Sequence, residues 1–342
     1  MSEATTPRRD GFRMPAEWEP HRMTLMQWPT TTRADFWGAL FETAKHDYAE
    51  VARAIAAFEP VLMVADPDQV GEARDRCGTD HVEVLGVPID DSWARDDGPI
   101  FVRDDAGRVA MVHFGFNSWG EKFLPYDRDA RVPEAIASHL GMRRYVTPMV
   151  LEGGSFFVDG EGTLLTTEQC LLHPNRNPTM TREEIEDVLR EHLGVDVVIW
   201  LGRGHPLDRD TDGHVDAIAQ YVRPGVVLLD APADPTDPNH EAGRDNLKRL
   251  RDAIDAQGRM IDVTVFDAGT PSSTAYMNHY LVNGGVIVPA DGERNDEAAL
   301  AQIRAAYPDR EVVTVPGRTI LEGGGGPHCI TQQVPAGEIV PP

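Results

Sequence analysis

A cysteine near the C-terminus follows a glycine-rich stretch and is a candidate nucleophile. Cys329 stands three residues after Gly323–Gly326, a run of consecutive glycines. A fold tolerates such a run where something must approach the backbone closely or where a turn needs a positive φ. A thiol presented by a glycine loop can attack an electrophilic carbon. The simpler alternative is a tight turn followed by a buried structural cysteine.

Three other loops contain clusters of polar residues. The first has the sequence Trp-Ala-Arg-Asp at 93–96, the second is Glu152 followed by two glycines, and the third covers 208–216. In the third loop, His214 and Asp216 head a predicted strand, where residues i and i+2 face the same side. Taken singly, each cluster is also explained by solvated turn acids, or by a histidine at the end of a strand.

Together these loops combine residue types that suit one kind of chemistry. Paired carboxylates are the natural partners of a planar guanidinium group. A cysteine and a histidine are what nucleophilic acyl or amidino transfer requires. His328 adjoins Cys329 but is predicted to point the other way on an extended segment, so His214 is the better acid–base candidate.

The elements that position these loops recur along the chain. Helix, strand, polar loop and hairpin follow one another roughly five times, with a period of about 50–65 residues. Apolar residues at helical spacing predict one such helix over 36–58. One short sequence is repeated without change, because Leu-Glu-Gly-Gly occurs at both 151–154 and 321–324. The pattern predicts an α/β domain of pseudo-symmetric repeats over 14–335, with a disordered N-terminal arm at 1–13 and a tail at 336–342.

Composition limits the class of protein. The net charge of −24 disfavours a nucleic-acid partner and suits a small cationic ligand. No window resembles a membrane span or a signal peptide, which predicts a cytoplasmic protein without a membrane partner. The cysteines at 77, 170 and 329 are odd in number and widely spaced, which disfavours both a disulfide framework and a structural zinc site.

Six motifs resemble those of the agmatine deiminase / bacterial (Porphyromonas-type) peptidylarginine deiminase family of the guanidine-modifying (pentein) superfamily, and they occur in that family's order. They are Met-Pro-Ala-Glu-Trp-Glu-Pro-His at 14–21, Asp-Ser-Trp-Ala-Arg-Asp-Asp-Gly-Pro at 91–99, Leu-Glu-Gly-Gly-Ser at 151–155, Asn-Arg-Asn-Pro at 175–178, Gly-His-Val-Asp at 213–216 and His-Cys-Ile-Thr-Gln-Gln at 328–333.

The resemblance implies a fold and a reaction. The fold is a five-bladed pseudo-symmetric α/β propeller of ββαβ-type repeats. The reaction is hydrolytic deimination, with Cys329 as nucleophile and His214 as general acid and base. Asp96 and Asp216 grip the guanidinium nitrogens. An amidino-cysteine intermediate forms and is hydrolysed.

The resemblance also implies the rest of the site. Glu152 orients His214, Trp93 packs along the substrate and Asp210 serves the far amine. No metal or organic cofactor is needed. The expected substrate is agmatine, converted to N-carbamoylputrescine and ammonia in polyamine (putrescine) biosynthesis, and a homo-oligomer is expected.

Departures from the family pattern lie in the loops that shape the outer pocket. They are Arg209 and Asp212 in place of Glu and Asn, and Gly326 and Pro327 before the final His-Cys pair. Arg209 is the least expected beside an amine-bearing substrate, because a nearby cation repels an amine. The alternatives are therefore a deiminase of peptidyl or free arginine or of a specialised-pathway guanidine, and a non-catalytic guanidine-binding protein.

Overall fold

The strands in the described part of the chain form five separate sheets. The structure, a computed structural model, describes residues 5–269 and 274–342. The first sheet contains Thr331–Pro335, His21–Gln27, Val61–Ala65 and Val82–Gly86, and the second contains Phe12–Arg13, Ile100–Asp104, Arg108–Gly115, Arg144–Val150 and Glu338–Ile339. The third contains Phe156–Val158, Thr163–Thr167 and Val197–Leu201, and the fourth contains Ala219–Arg223, Val226–Asp230 and Asp262–Phe266. The fifth contains Tyr280–Val282, Gly285–Pro289 and Glu311–Val315.

Each sheet joins a parallel strand to an antiparallel pair. In the third sheet, Phe156–Val158 runs antiparallel to Thr163–Thr167, and Val197–Leu201 adds parallel to the latter. In the first sheet, the late strand Thr331–Pro335 pairs antiparallel with His21–Gln27, so the end of the chain returns to its beginning. The alternation of strands and helices confirms the predicted α/β class.

Helices connect the strands and cover the sheets. The helix Arg182–Leu193 begins at a capping box between Thr181 and Glu184 and ends at Gly194 with φ 68°, as the sequence predicts. No helix in the described ranges is long and apolar enough to cross a bilayer. The α-helices are Ala34–Trp37, Phe41–Ala56, Val70–Cys77, Ala94–Asp97, Val132–Leu140, Glu168–Leu171, Arg182–Leu193, His240–Asp252, Asp296–Ala306 and Arg318–Glu322. The segment Ser118–Glu121 is a single turn whose residues have positive φ. Short 3-10 turns are Thr31–Arg33, Gly38–Leu40, Pro67–Gln69, Asp129–Arg131, Gly153–Ser155, Val215–Ala217 and Tyr276–Asn278.

The helix predicted over 36–58 is divided in the structure. Ala34–Trp37 ends at Gly38, whose φ of 51° cannot continue an α-helix, and Phe41–Ala56 follows after a 3-10 turn. Tyr48, Val51 and Ile55 of the second helix are fully buried. Burial of an aliphatic side chain of this size stabilises a fold by about 1.5–3 kcal/mol.

Both ends of the described chain are tied into the second sheet. Phe12–Arg13 pairs antiparallel with Ile100–Asp104, and Glu338–Ile339 pairs parallel with Arg108–Gly115. Residues 5–13 therefore differ from the disordered arm predicted over 1–13, and the predicted tail at 336–342 contributes a short strand. Residues 1–4 lie outside the described ranges. Two-residue strands show no periodicity, so this pairing leaves no signal in the sequence.

Candidate active site

The thiol of Cys329 is buried at the end of the glycine run, in a turn between the helix Arg318–Glu322 and the strand Thr331–Pro335. Its Sγ lies 3.4 Å from Asp216 Oδ2 and 3.1 Å from Asn278 Nδ2. The backbone N–H of Cys329 donates to Asn278 Oδ1 at 3.1 Å, so one asparagine holds both the backbone and the sulfur.

The glycines before Cys329 are required by close contacts. A Cβ at position 325 would lie 2.6 Å from the Trp93 ring and 3.0 Å from the Cys329 sulfur. Gly324 has φ 104°, and a Cβ there would meet Asp210 Oδ2 at 2.9 Å. The run therefore allows the backbone to pass directly beside the thiol and the pocket wall, in agreement with the sequence argument.

Three titratable side chains converge on Gly154. A Cβ on this glycine would lie 2.7 Å from His214 Nδ1 and 2.9 Å from both Asp216 Oδ2 and Asp96 Oδ1. The absent side chain thus leaves the space in which these groups face one another. The backbone N–H of Gly154 donates to Asp96 Oδ1 at 3.0 Å and fixes that carboxylate.

His214 is enclosed by acidic groups. Its Nδ1 lies 3.8 Å from Asp96 Oδ1 and its Nε2 lies 3.9 Å from Glu152 Oε2, separations that suit ion pairs rather than hydrogen bonds. Burial lowers the pKa of His214, but Asp96, Cys170 and Glu152 outweigh burial and raise that pKa well above its usual value. The buried imidazole is therefore held in its protonated form.

Asp96 has a carboxyl group of unusual basicity. Burial raises its pKa, the imidazolium of His214 opposes this, and the nearby anions Asp216 and Glu152 add to the rise, bringing the pKa to about 6. The indole Nε1 of Trp119 donates to Asp96 Oδ2 at 2.9 Å. Asp96 is therefore fixed at both oxygens, one by Gly154 and the other by Trp119.

Glu152 is anchored by Arg176. The guanidinium Nε donates to Glu152 Oε1 at 2.6 Å, and both side chains are about 1% exposed. Burial raises the pKa of Glu152, but His214 and Arg176 reverse this and lower it. Arg176 also bonds Asp212 Oδ2 at 2.7 Å. Asp212 pairs in turn with Lys122 at 2.7 Å, which accounts for the acid found at this departure from the family pattern.

The pocket that leads to the thiol has aromatic walls. It encloses about 360 Å³ including its open mouth. Asp210 is half-buried in its lining, whereas the neighbouring Arg209 is exposed and does not contribute to the lining. The lining residues are Phe36, Asp91, Trp93, Asp96, Trp119, Phe123, Asp210, Thr211, Gly323, Gly324 and Cys329.

The family model of Porphyromonas-type peptidyl-arginine deiminases matches residues 13–335. The chain belongs to this family. It is 44% identical to the agmatine deiminase of Pseudomonas aeruginosa, over 98% of this chain and 99% of that one.

Solved structures of the deiminase family superpose closely. An agmatine deiminase of Enterococcus faecalis has a TM-score of 0.93 at 36% identity, covering 97% of this chain and 98% of that chain. A Campylobacter jejuni agmatine deiminase with substrate bound has a TM-score of 0.86 at 26% identity, covering 96% and 97% of the two chains. A dimethylarginine dimethylaminohydrolase shares only the fold, with a TM-score of 0.53 at 13% identity over 92% of this chain and 99% of that one.

Most of the deiminase-type residues singled out in the sequence lie together. Cys329, Asp96, Trp93 and Asp210 line the pocket, and His214, Asp216 and Glu152 are buried behind its wall. The strand predicted to begin at His214 is wrong, because Val215–Ala217 is a 3-10 turn and the strand starts at Ala219. His214 and Asp216 still converge, because His214 is the extended residue that precedes the turn.

Several site residues were missed by sequence reasoning. Trp119, Phe123 and Asn278 touch the pocket or the thiol but lie outside the six motifs. Arg176 lies inside a recognised motif, yet its contact with Glu152 is not visible from spacing. The Asn-Arg-Asn-Pro motif at 175–178 is the one signal that could have suggested a role for Arg176.

One group of side chains has the composition of a metal site. Donor atoms of Glu152, Cys170 and His214 lie within 4.8 Å of one another, and all three residues are buried. Glu152 is already paired with the Arg176 guanidinium. That fixed positive charge opposes a metal cation at the same carboxylate, so the donor set suits a cationic imidazole better than a metal.

Proposed function

We propose that this protein is a hydrolase that deiminates agmatine to N-carbamoylputrescine and ammonia. The observation that carries the proposal is the convergence of one thiol, two carboxylates and one imidazole, with Cys329 Sγ 3.4 Å from Asp216 and with Asp216, Asp96 and His214 all facing Gly154. The 44% identity to an agmatine deiminase over nearly the whole chain supports the same reaction.

The proposed chemistry proceeds in two halves. The thiolate of Cys329 attacks the central guanidinium carbon while Asp96 and Asp216 hold the guanidinium nitrogens. The imidazolium of His214 donates its proton to the departing nitrogen, and the C–N bond breaks. Ammonia is released and an amidino-cysteine is formed. Neutral His214 then takes a proton from water, and the resulting hydroxide attacks the same carbon. The C–S bond breaks and the proton left on the oxygen passes to solvent, which releases the ureido product and the thiolate.

The substrate's own charge supports the first step. Burial raises the pKa of the Cys329 thiol well above its usual value, and the carboxylates of Asp216 and Asp96 raise it further. A bound guanidinium between these groups reverses that field and favours the thiolate, which is the reactive form. Without a cation in the site the thiol stays protonated, and the substrate itself then activates its nucleophile.

Asp210 is proposed to receive the terminal amine of agmatine. It lines the pocket, whereas the guanidinium of Arg209 faces solvent. The departure at 209 therefore adds a screened surface charge rather than a cation inside the pocket. Trp93 is proposed to pack along the chain between the two charged ends, and Glu152 to orient His214.

The five sheets are proposed to be the blades of a five-bladed propeller within one domain, assembled into a homo-oligomer. The return of Thr331–Pro335 to pair with His21–Gln27 supports closure of a ring. The pairing of both chain ends with the second sheet supports a domain that extends beyond 14–335 at each end.

A substrate panel tests the function. Purified protein is incubated with agmatine, arginine and a C-terminal-arginine peptide, and ammonia and ureido product are measured. We expect turnover of agmatine that Cys329→Ser abolishes while the circular dichroism spectrum is unchanged. Cys77→Ala is the matched control, because Cys77 is buried in the helix Val70–Cys77 and does not line the pocket. Release of ammonia from arginine or the peptide but not from agmatine contradicts the proposed substrate. Turnover of agmatine by Cys329→Ser contradicts the proposed mechanism.

A further inference from the structure

We propose that His328 is a positioning residue for the deiminase reaction, because its ring holds the Asp216 carboxylate beside the Cys329 thiol and ties it to the buried Glu17. The inference rests on the proposed function and adds residues to which that function assigns no part. It also gives a physical reason for the motif at 14–21, which contributes no side chain to the pocket lining.

The geometry around His328 is that of a clamped ring. Its Nδ1 lies 2.9 Å from Asp216 Oδ2, and its Nε2 lies 2.9 Å from Glu17 Oε2. The ring is fully buried, and the rings of Phe157 and Tyr280 lie 5.0 Å and 6.4 Å away. A neutral imidazole carries a single N–H and can satisfy only one of two facing carboxylates. The arrangement therefore requires the imidazolium.

The charges of the network balance. Glu17 and Asp216 supply two anions, and His328 and Arg95 supply two cations. Arg95 Nη2 lies 3.8 Å from Glu17 Oε2, and Arg95 Nε donates to the backbone oxygen of His328. Buried ions persist only when they are paired in this way. Burial, with a smaller contribution from the charge of His328, lowers the pKa of the nearby His279 to about 4, so His279 is neutral and adds no charge to the network.

The network reaches the reacting sulfur through one atom. Asp216 Oδ2 accepts from His328 Nδ1 and from Cys329 Sγ. Burial raises the pKa of Asp216, but His328, followed by His214 and Cys329, lowers it. His328 thus keeps Asp216 ionised and points its oxygen at the sulfur. Loss of either effect misplaces the group that grips the guanidinium, and a misplacement of 1 Å costs about a hundredfold in rate.

Two substitutions at one position separate the charge from the hydrogen bond. In His328→Asn, the side-chain amide lies near the position of Nδ1 and still donates to Asp216 without a charge. In His328→Gln, the amide lies near Nε2 and leaves Asp216 without its donor. We expect kcat to fall in the order parent, His328→Asn, His328→Gln, with about a hundredfold loss for the last.

The pH profile distinguishes positioning from mere support of the fold. The profile of kcat/KM reports the ionisations of the free enzyme. Asp96, with a pKa of about 6, sets the acid limb of the parent. Loss of the cation beside Asp216 makes this pair of carboxylates easier to protonate, so the limb should move upward in both His328 variants. His279→Gln is the matched control. His279 is equally buried, but its ring bonds the backbone oxygen of Tyr276 and the hydroxyl of Tyr307 rather than Asp216. The His279→Gln variant should therefore lose stability and keep the acid limb of the parent.

A second measurement needs no turnover. In ¹⁵N-histidine spectra of the substrate-free protein, we expect His328 to be an imidazolium at pH 7.5, and we expect Glu17→Gln to lower the pH at which it loses its proton. Glu17→Gln is a smaller change than either His328 variant, so it serves if those variants do not fold. A neutral His328 at pH 7.5, an unmoved acid limb in a folded His328 variant, or an equal movement in His279→Gln overturns the inference. A parent enzyme that does not turn over agmatine contradicts the proposed function instead, and in that case the histidine spectra still test the charge of His328.

Discussion

Trp119 donates its indole N–H to Asp96 from a segment of left-handed backbone. The bond is 2.9 Å long, and Trp119 has φ 53° and ψ 37°. Its neighbours Ser118, Gly120 and Glu121 have φ of 52°, 91° and 63°. For a residue other than glycine, this conformation costs about 1–2 kcal/mol.

The surrounding side chains keep this strained segment in place. Asn117 Oδ1 accepts from the N–H of Gly120 at 2.9 Å, and Asn117 Nδ2 donates to the backbone oxygen of Asn175 at 2.8 Å. Asn175 Nδ2 also lies 3.3 Å from the oxygen of Trp119. Strain that the surroundings maintain at a site is typical of a functional constraint. We infer that the segment exists to aim the indole at Asp96.

Trp119→Phe removes that hydrogen bond while keeping an aromatic wall. A hydrogen bond to a charged group contributes about 1.5–3 kcal/mol, so kcat/KM for agmatine should fall about tenfold to a hundredfold. The acid limb of the profile should move upward, because the indole N–H lowers the pKa of Asp96. Trp28→Phe is the control, since the Trp28 Nε1 has no hydrogen-bond partner in the described chain. Equal kinetic losses in the two variants would contradict the assignment.

Gly154→Ala should inactivate the enzyme without unfolding it. The new methyl group would stand 2.7 Å from His214 Nδ1 and 2.9 Å from Asp96 and Asp216, so these groups must separate. We expect a loss of at least about a hundredfold in kcat. Gly71→Ala is the matched control, because Gly71 lies in the helix Val70–Cys77 with nothing within 4 Å of its Cβ position. That change should stabilise the protein by about 0.5–1 kcal/mol and leave kcat unchanged. Full activity in Gly154→Ala would refute the convergent geometry.

Arg176→Gln should cost stability and activity together. It leaves Glu152 buried without its cation, and loss of one partner of a buried pair costs about 3–5 kcal/mol. Urea unfolding measures the stability, and the ammonia assay measures the effect on Glu152 and His214. In Arg182→Gln, which breaks the partly exposed pair with Glu168, we expect a loss of at most about 1 kcal/mol. Similar losses in both variants would show that Arg176 has no special part.

Asp129 predicts a pH dependence of stability. It is buried, and burial followed by the anion of Asp91 raises its pKa to about 8. The folded state therefore keeps a proton that the unfolded chain releases above a pKa of about 3.9. The resulting stabilisation is complete below that value and is lost as the pH rises from about 4 to about 8.

Asp129→Asn tests this dependence directly. The amide keeps an oxygen for the N–H groups of Asp90 and Asp91, which donate to Asp129 Oδ1 at 2.7 Å and 3.1 Å. Melting curves should show the variant gaining on the parent as the pH rises from 5 to 8.5. The exposed Asp105, which pairs with Arg13, provides the control Asp105→Asn with no such trend. A constant difference between Asp129→Asn and the parent across this range would exclude the raised pKa.

The distribution of glycines and acids along the sequence was enough to locate the candidate site. Cys329 and Asp96 lie within recognisable motifs and Asp210 lies close to one, and the structure places all three on one pocket. The helix Arg182–Leu193 was also predictable, because its capping box and its C-terminal glycine are local signals. The boundary at Gly38 was not, since a single glycine inside a helical pattern does not reveal its φ.

Local pattern indicated the candidate residues for chemistry and the positions of most helices and strands, because those properties depend on neighbours within a few positions. Tertiary structure alone decided how His328 bridges Glu17 and Asp216, how Trp119 reaches Asp96 and how Arg176 pairs with Glu152. These partners are separated by 311, 112, 23 and 24 positions in the chain. Their contacts arise only when separate sheets pack together and exclude water, which makes each buried charge depend on a partner that no local spacing records.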